Sequence, residues 1–113
     1  MEKPFLTVVE TQAYLADAKK ILTKDERAAV VDTIAADPTS GDLIVGSGGV
    51  RKLRVGVASK GKRGGARVIY YFHSLGHPAI LLMIYPKSAR TDLSPDQLAA
   101  LAAFTKAMKQ IWR

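Results

Sequence analysis

Apolar and polar residues along this chain follow helical spacing at both ends and strand spacing in the middle. Thr7, Val8 and Val9 are β-branched or strand-favouring residues and predict a short strand over Pro4 to Val9. Thr11 to Lys20 predicts a short helix. A second helix follows, with Thr23 as N-cap and Glu26 closing a capping box three residues on. Ala28, Ala29, Val30, Val31 and Ile34 give it an apolar stripe. Asp37-Pro38 ends it, because the residue before proline is pushed out of the α region. Pro38 to Gly49 reads as a glycine-broken loop that includes a brief extended segment at Leu43-Ile44-Val45, and Gly46-Ser47-Gly48-Gly49 as plain loop.

Three strands are predicted next, over Val50 to Val57, Arg67 to His73 and Ala79 to Tyr85. Their links, Ala58 to Gly65 and Ser74 to Pro78, are too short for a parallel crossover, so the strands form an antiparallel meander. Ala79 to Tyr85 is almost wholly apolar and is expected in the sheet interior. The final helix begins with Ser94 as N-cap, Pro95 at the first helical position and Gln97 completing a capping box. Leu98, Leu101, Phe104, Met108 and Ile111 recur at three- and four-residue spacing and predict a face packed on the sheet. The expected fold is a single α+β domain over residues 1–113. Its order is β-α-α-β-β-β-α, with a small antiparallel sheet and helices on one face.

Alternation sorts the charged residues of the strands. Lys52 and Arg54 share a face opposite Leu53, Val55 and Val57, which belong to the core. Arg67 and Ile69 share a face with Tyr71 and His73, opposite Val68, Tyr70 and Phe72. Tyr85 shares a face with Met83, and Lys87 continues it. An exposed sheet face carrying Lys52, Arg54, Arg67 and Tyr85 makes a cationic floor with an aromatic ring. Arginine forks match phosphate oxygens in pairs, lysine adds point charge, and a tyrosine ring stacks on a base or moves a proton.

Charge distribution sharpens this picture. The net charge is +7, but Met1 to Asp42 holds five bases and eight acids, whereas Leu43 to Thr91 holds nine bases and no acid. A basic surplus confined to one segment points to a polyanionic partner more strongly than a high isoelectric point does. Apolar residues make up 48% of the 113 and charged residues 24%, an ordinary globular balance that argues against disorder. With no cysteine, neither disulfides nor thiolate metal sites contribute. The start Met1-Glu2-Lys3-Pro4 lacks the pattern of a signal peptide, and Ala79 to Tyr85 is too short to cross a bilayer. A cytoplasmic protein with no membrane partner is therefore expected.

Several chemistries are disfavoured. A two-metal nuclease needs clustered carboxylates, and none lies between Leu43 and Thr91. Asp42 and Asp92 flank that span but would make a poor metal cage. No GxxxxGK[ST] loop and no Gly-x-Ser-x-Gly elbow occurs. His73 and His77 flank a hairpin tip and are read as turn residues. No metal and no cofactor is expected. What remains is metal-free RNA cleavage, in which the 2′-hydroxyl attacks the adjacent phosphate with the help of a base, an acid and charge stabilisation.

Gly49-Val50-Arg51-Lys52-Leu53-Arg54, then Lys60-Gly61-Lys62-Arg63-Gly64-Gly65-Ala66-Arg67-Val68-Ile69-Tyr70-Tyr71, then Leu82-Met83-Ile84-Tyr85-Pro86-Lys87 resembles the RelE/HigB-like toxins of bacterial type II toxin–antitoxin modules. With the Asp92-Leu93-Ser94-Pro95 helix start, the resemblance is to the HigB-type, phage Gp49-like branch and spans nearly the whole chain. It implies an endoribonuclease that enters the ribosomal A site of the 70S ribosome and cuts mRNA during translation. It also implies a cognate helix-turn-helix antitoxin, HigA-like, that neutralises it. By position, Lys52, Arg54, Arg67, Tyr85 and Lys87 are the expected catalytic set. Lys52 or Lys87 would be the base, Arg54 and Arg67 would hold the phosphate, and Tyr85 would stack or donate a proton. Arg51, Lys60, Lys62, Arg63 and Arg90 are expected to contact RNA or the ribosome. The chain departs from the RelE pattern of an arginine just past the last strand and a tyrosine several residues later. Here Ser88 follows Lys87, Arg90 comes later, and Leu93 stands near the tyrosine's place. A ParE-like gyrase poison and a non-catalytic nucleic-acid-binding module are the alternative readings.

Overall fold

The computed structural model describes residues 5–57, 65–89 and 92–112. Its elements run β1 (Val8–Glu10), α1 (Gln12–Ile21), α2 (Lys24–Ala36), β2 (Asp42–Leu43), β3 (Val50–Val55), β4 (Ala66–Tyr71), β5 (Ala79–Pro86) and α3 (Pro95–Ile111). The α+β architecture and most of the expected order are present. The five strands form one sheet in the order β1-β5-β4-β3-β2. β3, β4 and β5 are the expected antiparallel meander. β2 adds a short antiparallel edge to β3, so the brief extended segment is one arm of a hairpin.

The sheet is mixed rather than purely antiparallel, because β1 runs parallel to β5, pairing Val8 with Ala79 and Glu10 with Leu81. A parallel neighbour needs a long connection, and here everything from α1 to β4 lies between the two strands. Thr11 ties this edge down. Its hydroxyl donates to the Leu81 carbonyl at 2.7 Å and accepts from the Tyr14 backbone N–H at 3.2 Å as the N-cap of α1. Thr23 and Ser94 cap α2 and α3 with complete capping boxes, which satisfies N–H groups that a helix start leaves orphaned.

The expectation of helices on one face is overturned. α1 and α2 bury Tyr14, Ala18, Val30 and Ile34 against Val68, Tyr70, Leu81 and Ile84. α3 covers part of the opposite face, packing Leu101, Phe104, Met108 and Trp112 against Val50, Ile69, Tyr71 and Tyr85. Two-sided coverage follows from the unbroken run Val68-Ile69-Tyr70-Tyr71, all four of whose side chains are buried. A strand wet on one side would alternate. An irregularity also resets the alternation. Ile69 pairs with Met83 but Tyr70 pairs with Leu81, so Leu82 is an extra residue in β5. Leu82 and Met83 consequently both pack on the α3 side, while Leu81 and Ile84 face α1 and α2.

The turn Gly46–Gly49 is more than a plain loop, because it seats α3. Buried Thr105 donates its hydroxyl to the Ser47 carbonyl at 2.8 Å. Gly48 has φ +81°, and a Cβ there would collide with the Thr105 hydroxyl. Ser47 in turn donates to the Ile44 carbonyl and accepts from the Val50 N–H at 3.0 Å, closing the β2–β3 hairpin. Thr105 thus stands inside the α3 stripe, whereas Ile111, expected there, is 70% exposed.

Candidate functional site

The β3–β4–β5 register brings the predicted residues together. Arg54 lies directly opposite Arg67, and Arg67 directly opposite Tyr85. These three form one row across three adjacent strands, about 10 Å from end to end at the ordinary strand spacing. One rung along, Lys52 lies opposite Ile69, which lies opposite Met83. All these positions share the face that α3 covers only in part. Val50 on that face is buried against α3's side of the core, and Lys52 and Arg54 follow it by strand alternation to the uncovered end.

The side chains do not behave alike. Tyr85 is 4% exposed and belongs to the α3-side core, so it forms the floor of the site rather than a free platform. Arg54 is exposed and Arg67 partly so. The Arg67 guanidinium folds along its own strand and donates to the Ala66 carbonyl at 3.3 Å. Lys87 follows β5 in an exposed turn whose backbone N–H donates to the Gly65 carbonyl at 2.9 Å. This places it just beyond the Tyr85 end of the row. Lys52, Arg54 and Tyr85 line a common groove of about 480 Å³.

Tertiary structure also returns acid to the site. The Lys52 ammonium lies 3.8 Å from an Asp92 carboxylate oxygen, and Asp42 is the cross-strand partner of Lys52. Both aspartates line the groove. They are the residues that bracket the acid-free span, and that bracketing was the available signal for them. Among the described residues, no group of three His, Cys, Asp or Glu side chains gathers to hold a metal ion.

Arg51 stands apart. It points to the opposite face from Lys52 and Arg54, and its guanidinium donates to the Gly41 carbonyl at 2.8 Å and the Thr39 carbonyl at 3.3 Å. It braces the loop after α2. Tyr70 does the same from below, donating to the Pro38 carbonyl at 2.8 Å and accepting from the Gly41 N–H at 2.9 Å. Lys60, Lys62, Arg63 and Arg90 lie outside the described residues. Tyr71, His73 and His77 are far along the sheet from the row and cluster on the end of α3. His77 stacks on Trp112 with ring centroids 4.6 Å apart, and the Tyr71 hydroxyl meets His73 Nδ1 at 3.3 Å. Burial raises the Tyr71 phenol above its ordinary pKa. These aromatic and imidazole rings hold α3 to β4, outside the cationic groove.

Comparison with known proteins identifies the family and the fold. The family model described as the RelE toxin of the RelE / RelB toxin–antitoxin system matches residues 8–113. The chain belongs to the RelE toxin family. Among solved structures, it is similar to a double mutant of the E. coli toxin RelE in the free state, with a TM-score of 0.57 at 12% identity. That match covers 89% of this chain and 96% of the other. At this identity the likeness concerns the fold, and the RelE fold is the one described above. At 12% identity no residue role passes from that protein to this chain. No helix among the described residues is long and apolar enough to cross a membrane.

Proposed function

We propose that this chain is a ribosome-dependent, metal-independent mRNA endoribonuclease of the HigB-type branch, which halts translation and is held in check by a HigA-like helix-turn-helix antitoxin. The observation that carries this reading is the Arg54–Arg67–Tyr85 row with Lys52 and Lys87 beside it. A row of cations over an aromatic floor suits a single RNA phosphate flanked by an unstacked base.

In the proposed reaction the 2′-hydroxyl loses its proton as its oxygen attacks the neighbouring phosphorus. The bond to the 5′-oxygen of the next nucleotide breaks, and that oxygen takes up a proton. Lys52 or Lys87 accepts the first proton. Arg54 and Arg67 hold the non-bridging oxygens, where negative charge accumulates in the transition state. Arginine suits this role because its planar fork stays charged. Tyr85 forms the floor beneath the sugar or base, or supplies the leaving-group proton. Arg51 belongs to the scaffold in this reading, and Lys60, Lys62, Arg63 and Arg90 add contacts to RNA or the ribosome. Such a protein acts where translation occurs, in the cytoplasm.

The deciding experiment is brief expression of the chain in translating cells, with mapping of new mRNA 5′ ends and Arg67→Ala alongside. In-frame cuts that vanish in the folded mutant are expected. Growth arrest with intact mRNA would favour a ParE-like gyrase poison, and normal growth with intact mRNA would favour a binding module that cuts nothing.

A further inference from the structure

His73 and His77 take no part in the cationic row, yet they stand together. They flank a turn in which the His77 backbone N–H donates to the Ser74 carbonyl at 3.1 Å. Their ring centroids are 5.2 Å apart, and both residues are partly exposed, so solvent reaches the pair. Each ring is held through the same atom. His73 Nδ1 lies 3.3 Å from the Tyr71 hydroxyl, and His77 Nδ1 lies 2.9 Å from the Ser74 hydroxyl. Where Nδ1–H donates to its hydroxyl oxygen, the lone pair stands on Nε2, on the far side of the ring. Trp112 closes the cluster from α3, with its ring centroid 4.6 Å from that of His77 and 6.0 Å from that of His73. Indole has a donor and no lone pair to offer, so it packs on the pair without competing for a cation.

This is the arrangement that a metal-binding imidazole needs. A ligating histidine almost always has its other ring nitrogen engaged, which fixes both tautomer and ring orientation. Two imidazoles that share one tetrahedral cation through Nε2, at about 2 Å each, have centroids about 5 Å apart. Imidazole nitrogen suits zinc, nickel and copper, whereas magnesium and calcium prefer oxygen. The chain has no cysteine, so no thiolate competes for such an ion. His77 also borders a cavity of about 500 Å³ with Phe5, Ala35, Pro38 and Leu75. None of the described residues lining it is a lysine or arginine. A dication therefore meets no fixed positive charge there, and water has room to complete its coordination.

We propose that His73 and His77 form a two-imidazole site for a zinc-class divalent cation, with Tyr71 and Ser74 as positioning residues and water as the remaining ligands. The site lies far along the sheet from the row, so the ion stabilises the fold by mass action and plays no part in cleavage. Trp112 is the only tryptophan in the chain and reports on the site directly. The test titrates nickel chloride into the full, tag-free chain and follows tryptophan fluorescence, because an open-shell ion quenches an indole at short range. A saturable quench is expected, reversed by EDTA, competed by zinc and not produced by magnesium. His73→Gln and His77→Gln should each weaken it about tenfold or more, through loss of one of two protein ligands. Ser74→Ala leaves both rings in place and should weaken it about tenfold, the lower end for losing a group that orients a ligand. Should either glutamine variant fail to fold, Ser74→Ala decides the matter. Quenching that does not saturate, or that is equal in the wild type and the folded variants, overturns the site.

Discussion

Arg67 lies directly across the sheet from Tyr85, in the same rung that sets Arg54 across from Arg67. Three side chains separated by 13 and 18 positions in sequence thus share one line, and the line is fixed by backbone pairing rather than by flexible side chains. Removing either arginine should leave the sheet intact and remove charge stabilisation. Arg54→Ala is expected to lower mRNA cleavage in a reconstituted translation reaction about 10²-fold, the range seen when one preorganised transition-state donor is lost. Arg54→Lys should recover only part of this, because a point charge does not replace the two-pronged fork. Full activity in Arg54→Ala would remove the row from the mechanism.

Tyr85 has two conceivable duties that one substitution separates. Tyr85→Phe keeps the ring, and the position is 4% exposed in an apolar cluster, so folding should be preserved. Cleavage kept within about threefold would leave the ring as the floor of the site, whereas a loss approaching the 10²–10⁴-fold typical of a general acid would assign the hydroxyl to proton transfer.

Gly48 and Thr105 meet where the β2–β3 turn supports α3. Gly48→Ala places a side chain at φ +81° and against the Thr105 hydroxyl. It should destabilise the fold by about 2–4 kcal/mol in urea unfolding, combining backbone strain with overpacking. Thr105→Val removes the hydrogen bond to Ser47 and leaves a buried carbonyl unsatisfied, so about 1–3 kcal/mol should be lost.

Arg51 and Lys52 are neighbours in sequence on opposite faces of β3. Arg51→Ala strips the Gly41 and Thr39 carbonyls of their donor and should cost about 1–3 kcal/mol of stability. Lys52→Ala breaks a partly exposed pair with Asp92 and should change stability by less than about 1 kcal/mol. Parallel urea titrations of the two variants would reveal the contrast, and equal losses would contradict the assigned faces.

Tyr14 makes a pH prediction. It is fully buried on the α1 side, and its hydroxyl has no hydrogen-bond partner among the described residues. Burial chiefly, and then the Glu10 carboxylate, push its pKa up to about 12 from 10, against a smaller opposing effect of Arg27. The folded state therefore keeps the proton where the unfolded chain releases it. This contribution is fully present below pH 10 and is lost as pH rises from 10 through about 12, removing about 2–3 kcal/mol. Tyr14→Phe should flatten that part of the stability–pH profile and leave stability at pH 7 unchanged or slightly higher, since no hydrogen bond is given up.

Much of this is legible in the sequence. Ser94-Pro95 and Thr23 with Glu26 marked two helix starts because capping is local chemistry within four residues. The antiparallel meander followed from link lengths, and the shared face of Lys52 and Arg54 from strand alternation. The resemblance rested on contiguous motifs, and at the level of the RelE toxin family the family model bears it out. What escaped the sequence depended on distant partners. Nothing near Val8 announces that it will pair in parallel with Ala79. The extra residue at Leu82 is equally silent, since an apolar run carries no alternation to show a phase slip.

The site divides along the same line. The sequence by itself determined the acid-free basic segment and which cations share a strand face, because a period of two is a property of the backbone. Only the tertiary structure decided the register that aligns Arg54, Arg67 and Tyr85, the turning of Arg51 to brace a loop, and the placement of Asp92 3.8 Å from Lys52. Charge counted along a chain ignores what folding brings across it. Here the start of α3 carries an acid back to the basic sheet, and the face that sequence presented as purely cationic becomes a groove with two signs.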